Sequence, residues 1–152
     1  MQGRGDAGTS LNPGAFIYRQ VETTTHETRS RPRILVVDDE PRITRFVRLS
    51  LSSQGFDVLV ASNGEEGLQI AAAERPDLMI LDIFMPGIDG FGVLQKLRAG
   101  EGNNGCHLPV IVFSARASVA EEALRLGATD FISKPFIPEE MADKIRTAMA
   151  AK

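Results

Sequence analysis

The chain has 152 residues, 43% of them hydrophobic, with a formal net charge of −3: one domain's worth of sequence, able to bury a core and without the global basic excess of a nucleic-acid binder, although a local patch is left open. Its longest apolar runs are strand-sized, which excludes a membrane-spanning helix, and its N-terminus lacks the apolar stretch of a secretory signal. The single cysteine, Cys106, excludes an internal disulfide, and with only His107 beside it does not make a zinc site; the composition fits a reducing cytoplasm.

Residues 1–31 are rich in glycine and polar side chains and read as a flexible N-terminal tail; the alternative is a short segment that packs on a partner or sister chain through Phe16 and Tyr18. From residue 32 onward the pattern is regular. Ile34-Leu35-Val36-Val37 is an apolar strand ended by Asp38-Asp39. Pro41 suits a first helical turn, and Ile43, Phe46, Val47 and Leu51 repeat at helical spacing. Residues 56–60 form the second strand. Asn63, with Glu66 three residues on, caps the next helix, whose inner face is Leu68, Ala71 and Ala72; Gly64 and Gly67 near it are packing tolerances. Leu78-Met79-Ile80-Leu81 is the third strand, ended by Asp82. Asp89-Gly90 is a turn into a short helix carrying Phe91, Leu94 and Leu97. A glycine-rich loop over residues 100–107 leads to Val110-Ile111-Val112-Phe113, ended by Ser114. Val119, Ala123 and Leu124 mark another helix, closed by Gly127. Residues 129–132 are a short fifth strand before Lys134-Pro135, and Pro138 opens a last helix with Met141, Ile145, Ala148 and Met149 facing inward.

Five rounds of strand then helix, with strands apolar throughout, predict an α/β fold: a parallel sheet covered on both faces and joined by right-handed crossovers. In such a sheet the carboxyl ends of the strands share one edge, where ligands bind. Asp38, Asp39, Asp82, Ser114 and Lys134 all fall there. Asp and Ser often end strands and cap helices, which accounts for any one of them. It does not account for a lysine joining three aspartates. Clustered carboxylates repel one another unless a cation is supplied, and hard oxygen ligands suit Mg²⁺. A carboxylate beside Mg²⁺, with Lys and Ser to hold anionic oxygens, can accept a phosphoryl group.

Asp38-Asp39-Glu40, then Asp82-Ile83-Phe84-Met85-Pro86-Gly87-Ile88-Asp89-Gly90, then Phe113-Ser114-Ala115 and Lys134-Pro135-Phe136, resemble in order the receiver domain of two-component response regulators. The resemblance implies a doubly wound (βα)5 flavodoxin-like fold over residues 32–152, with a five-stranded parallel sheet of order 2-1-3-4-5. It implies Asp82 as phosphoacceptor, taking the group from a histidine kinase or a histidine phosphotransfer protein. Mg²⁺ would be held by Asp39, Asp82 and the backbone carbonyl of Phe84, with Asp38 acting through a metal-bound water. Lys134 would pair with Asp82 or the phosphoryl oxygens, Ser114 would move toward the phosphoryl group, and Phe131 would be the aromatic switch residue that swings inward with it; a plain core role is the alternative for Phe131. The Lys134-Pro135 bond would be cis.

Against the family pattern, the segment from Ser114 to Gly127 is short, so the fourth helix is expected to be trimmed or shifted, and the 100–107 loop is long. Phe84 and Arg116, two residues past Asp82 and Ser114, flank the site, and bulky Phe84 is expected to hinder the water that hydrolyses an aspartyl phosphate. Arg42, Arg45 and Arg48 lie on the solvent side of the first helix, either as a solvated face or to steer the phosphodonor. The chain is expected to catalyse only its own phosphorylation and dephosphorylation, not to turn over a separate substrate. A phosphatase acting through an aspartyl phosphate would need a general acid, and Phe84 cannot donate a proton. A degenerate receiver is disfavoured by the intact acidic, serine and lysine set. Further expectations are a monomer or weak homodimer, no membrane contact, no nucleic-acid contact by this domain itself, and an unknown downstream protein target. Two alternatives for the output stay open: the receiver fragment of a longer DNA-binding transcriptional regulator, or a phosphorelay shuttle without an output domain.

Overall fold

A computed structural model describes residues 30–100 and 107–151. The readings on the tail, on Phe16 and Tyr18, on Cys106 and on most of the glycine-rich loop lie outside the described residues, apart from Ser30, Arg31, Gly100 and exposed His107. Arg31 donates to the carbonyls of Ser52 and Phe56 at 2.8 and 3.2 Å.

The elements run β1 (Arg33–Val37), α1 (Pro41–Ser52), β2 (Asp57–Ala61), α2 (Gly64–Glu74), β3 (Leu78–Asp82), α3 (Gly90–Arg98), β4 (Val110–Ser114), α4 (Ala120–Arg125), β5 (Asp130–Ser133) and α5 (Pro138–Ala150). The sheet is parallel throughout with order β2-β1-β3-β4-β5. This is the doubly wound flavodoxin-like arrangement expected from the sequence.

Alternation along the strands divides the core in two. Leu35, Val37, Met79, Leu81, Val110 and Val112 pack with Ala71 of α2, Val93, Leu94 and Leu97 of α3 and Ala123 of α4. Ile34, Val36, Ile80, Ile111, Phe113 and Ile132 pack with Val47 and Leu51 of α1 and Met141, Ala142, Ile145 and Ala148 of α5. Side chains on a strand point to opposite faces in turn, so each uninterrupted apolar run supplies both cores.

Local chemistry sets the helix ends. Pro41 and Pro138 sit in the first turns of α1 and α5, where a missing N–H costs nothing. Asn63 accepts from the Glu66 N–H at 2.8 Å, while Glu66 reaches back to the Ser62 N–H at 2.7 Å. Asp89 caps α3 by accepting from the Gly92 N–H at 2.9 Å.

Four details differ from the sequence reading. Strands β2 and β5 each start one residue later, at Asp57 and Asp130, with Phe56 buried ahead of β2. Phe46, counted in the apolar repeat of α1, is 50% exposed, because buried Thr44 takes the inward place one turn before Val47 and Leu51. Leu124 is exposed and Ala123 buried, since a helix of six residues turns only one narrow face inward. That helix has six residues and is preceded by a single 3-10 turn (Ala117–Val119).

Candidate functional site

Strands β1, β3 and β4 end on one sheet edge, and each hands over a polar group there. Asp38 follows β1 directly, with its N–H bonded to the Ala61 carbonyl at 3.1 Å. Asp82 is the last residue of β3 and sits in register with Phe113, so Ser114 lies one step beyond it on β4. Lys134 follows β5, held by its N–H on the Ser114 carbonyl at 2.9 Å, and its bond to Pro135 is cis.

These groups converge. One carboxylate oxygen from each of Asp38, Asp39 and Asp82 can be chosen so that all lie within 4.8 Å of one another. Asp38 and Asp82 are buried, whereas Asp39 is exposed. The Lys134 Nζ donates to Asp38 Oδ2 at 2.9 Å and stands 3.4 Å from Asp82 Oδ1. The lysine therefore bridges two carboxylates, with its shorter bond to Asp38 and not to the expected Asp82. Asp38 is further fixed by accepting the Glu40 N–H at 2.9 Å.

The electrostatics follow from this crowding. Burial, then the charge of Asp38, raise the Asp82 carboxyl to about 6, against the opposing pull of Lys134. Burial also raises Asp38, with Lys134 and the Glu40 N–H opposing and Asp39 adding to the rise. For Lys134, burial disfavours the ammonium, but its hydrogen bond to Asp38 and the two carboxylates together outweigh that and raise it. The pocket thus carries more buried negative charge than its one lysine neutralises. The donors are carboxylates, with no His or Cys among the described ligand group, so a hard cation such as Mg²⁺ fits and a soft one does not.

Ser114 is fully buried, and its Oγ accepts from the Arg116 N–H at 3.2 Å. Phe131, paired with Val112 on β5, is half-buried against the α2/α3/α4 core. Phe84 is 46% exposed. The Arg116 guanidinium lies over its ring, 4.6 Å from the centroid, and joins the segments that follow β3 and β4. Sequence reasoning noted both residues as flanking the site but could not see them stacked. It also missed Phe113, whose ring lies 4.5 Å from the Lys134 Nζ. In the sequence Phe113 enters only as the residue before Ser114, and within an apolar strand nothing marks it for a role of its own.

Comparison with known proteins gives a consistent result. The profile of the response regulator receiver domain matches residues 34–146. A probable transcriptional regulator, ycf27, of Porphyridium aerugineum is 41% identical over 121 residues, covering 78% of this chain and 48% of that protein. The response regulator MprA of Mycolicibacterium vanbaalenii is 41% identical over 119 residues, covering 77% and 50%. The chain thus spans about half the length of the curated relatives it matches. Among solved structures, a putative response regulator from Chloroflexus aurantiacus superposes with a TM-score of 0.74 at 29% identity, covering 80% of this chain and 99% of that one. The receiver domain of the sensor histidine kinase PA1611 of Pseudomonas aeruginosa, described with a magnesium ion coordinated in its active-site cleft, gives 0.73 at 26%, covering 80% and 99%.

Proposed function

Because the chain belongs to the response regulator receiver domain family of two-component systems, we propose that Asp82 accepts a phosphoryl group from a phosphohistidine, with Mg²⁺ present, and that the domain repacks in response. The observation that carries this reading is the close group of Asp38, Asp39 and Asp82 oxygens with Lys134 bridging two of them.

An Asp82 carboxylate oxygen attacks phosphorus; a P–O bond forms as the P–N bond to the donor histidine breaks, and the imidazole leaves with the bonding pair and is protonated. Asp39, Asp82 and the Phe84 carbonyl would hold Mg²⁺, with Asp38 in support, and the ion would supply neutralisation of charge on the transferred oxygens. Lys134, already 3.4 Å from Asp82, pairs with a phosphoryl oxygen. Ser114 turns its hydroxyl toward that oxygen, giving up the Arg116 N–H, and Phe131 moves inward to follow it. Water later attacks phosphorus, the acyl P–O bond breaks and Asp82 is returned as carboxylate with release of phosphate; on this reading the chain catalyses only its own phosphorylation and dephosphorylation.

The donor is a histidine kinase or a histidine phosphotransfer protein. The outer face of α1 suits docking: Arg42, Arg45 and Arg48 are exposed around Phe46 and Leu49. A second reading concerns output. Relatives named as transcriptional regulators, about twice as long as the matched region, favour a receiver that controls a DNA-binding segment.

Incubation of wild type and Asp82→Ala with Mg²⁺ and acetyl phosphate, followed by intact mass measurement, tests the assignment. One added phosphoryl group in wild type and none in the variant is the expected result. Equal labelling of both overturns it.

A further inference from the structure

The ammonium of Lys134 is held on two sides. Asp38 and Asp82 take it on one, at 2.9 and 3.4 Å, and the ring of Phe113 lies on another, 4.5 Å from Nζ to the centroid. Phe113 is fully buried and is the register partner of Asp82. Its ring packs edge-on against Phe136, centroids 6.5 Å apart at 73°, and Phe136 in turn packs on Phe46 at 5.5 Å and 47°. A column of three rings therefore runs from the site lysine to the exposed side of α1.

Resting on the phosphoacceptor reading above, we propose that Phe113 is a positioning residue, whose ring face, braced by Phe136 and Phe46, holds the Lys134 ammonium where it can pass from Asp82 to an incoming phosphoryl oxygen. A lysine side chain has four rotatable bonds and loses much freedom when ordered. Two carboxylates alone do not fix the direction from which it approaches them. The electron-rich ring face attracts the cation, strongly so in a desolvated site, and restrains the stem of the lysine. A leucine fills similar space without the quadrupole. The contact thus acts on where the charge sits, not on whether the strand folds.

The test uses the full 152-residue chain with Phe113→Leu and Phe113→Tyr. Three quantities are read: the NMR shifts of the Lys134 Hε protons, the rate of phosphorylation by acetyl phosphate, and the Mg²⁺ dissociation constant. In wild type the ring current displaces the Lys134 Hε signals upfield of the other lysines. Phe113→Leu returns them to the ordinary position and slows phosphorylation by about fivefold, the scale of one cation–π contact, while Mg²⁺ affinity stays within about twofold. Phe113→Tyr restores both shift and rate. Undisplaced Hε signals in wild type overturn the proposal even if the leucine variant fails to fold. So does an unchanged rate in a folded Phe113→Leu, or a loss that tyrosine does not rescue. Displaced, Phe113-dependent signals in a chain that never labels Asp82 support the contact and overturn the phosphoacceptor reading instead.

Discussion

At the scale of single residues, the side chains around Asp82 divide into those that hold charge and those that shape access. Lys134, Asp38 and Asp39 belong to the first group; Phe84 belongs to the second. Phe84, two residues past Asp82, is half-exposed, and the Arg116 guanidinium stacked on its ring restrains it. Hydrolysis of an acyl phosphate needs a water in line with the P–O bond, and on the proposed reading a bulky apolar ring two residues past Asp82 hinders that approach. Phe84→Asn is expected to raise the hydrolysis rate of phosphorylated protein about three- to tenfold, equivalent to roughly 1 kcal/mol of barrier. Decay of the phosphorylated mass after removal of acetyl phosphate measures this, and an unchanged half-life rejects the role.

At the scale of elements, the junction of β3 and α3 is where packing meets function. Gly90 opens α3 and donates to the Ile83 carbonyl at 2.8 Å. A Cβ there would lie 2.5 Å from the Asp82 carbonyl oxygen and 2.7 Å from the Ile83 Cα, both main-chain atoms. At Gly92, by contrast, the nearest obstacle is the Ile88 Cγ1 at 2.7 Å, a side-chain atom that must give way but is not main chain. Gly90→Ala is therefore expected to cost about 2–3 kcal/mol in urea unfolding and to weaken Mg²⁺ binding by shifting the Asp82–Phe84 backbone. Gly92→Ala is expected to cost less, about 1 kcal/mol, and to leave Mg²⁺ binding as it was, because a side chain and not the Asp82–Phe84 backbone must shift. Equal penalties at the two positions would show that the backbone approach does not matter.

For the molecule as a whole, the site is a source of instability that the fold carries. The Asp82 carboxyl is raised from 3.8 to about 6, so the folded chain binds a proton there more tightly than the unfolded chain. Such a group favours folding below its unfolded value, and that contribution is lost as pH rises through about 6. Without divalent cations, Asp82→Asn is expected to be more stable than wild type at pH 7.5 by about 1–2 kcal/mol, a few degrees in Tm. The gain should shrink as pH falls and vanish below 3.8. Thermal melts in a chelator across that range measure it, and a gain that persists at low pH would assign the effect to something other than ionisation. On the proposed Mg²⁺ site, adding the ion should narrow the gap at neutral pH by stabilising wild type more than the variant, which lacks one of the proposed ligands.

What the sequence alone determined is the set of features carried by order and periodicity. Apolar runs of strand length alternating with helical repeats specified a parallel sheet covered on both faces, because a parallel strand buried on both faces has no room for polar positions; the doubly wound strand order came from the resemblance. Strand ends are where that constraint lifts, so Asp38, Asp82, Ser114 and Lys134 stood out there, and their order carried the resemblance. Tertiary structure alone decided what depends on distances between elements: that Lys134 lies nearer Asp38 than Asp82, that Arg116 stacks on Phe84, and that Phe46 leaves the α1 core face to pack on Phe136. It also decided that Phe113, one apolar residue among several, lies against the site lysine. Hydrophobic patterning reports only whether a side chain leaves water; which partner it meets is set by the register and crossing of elements far apart in the chain.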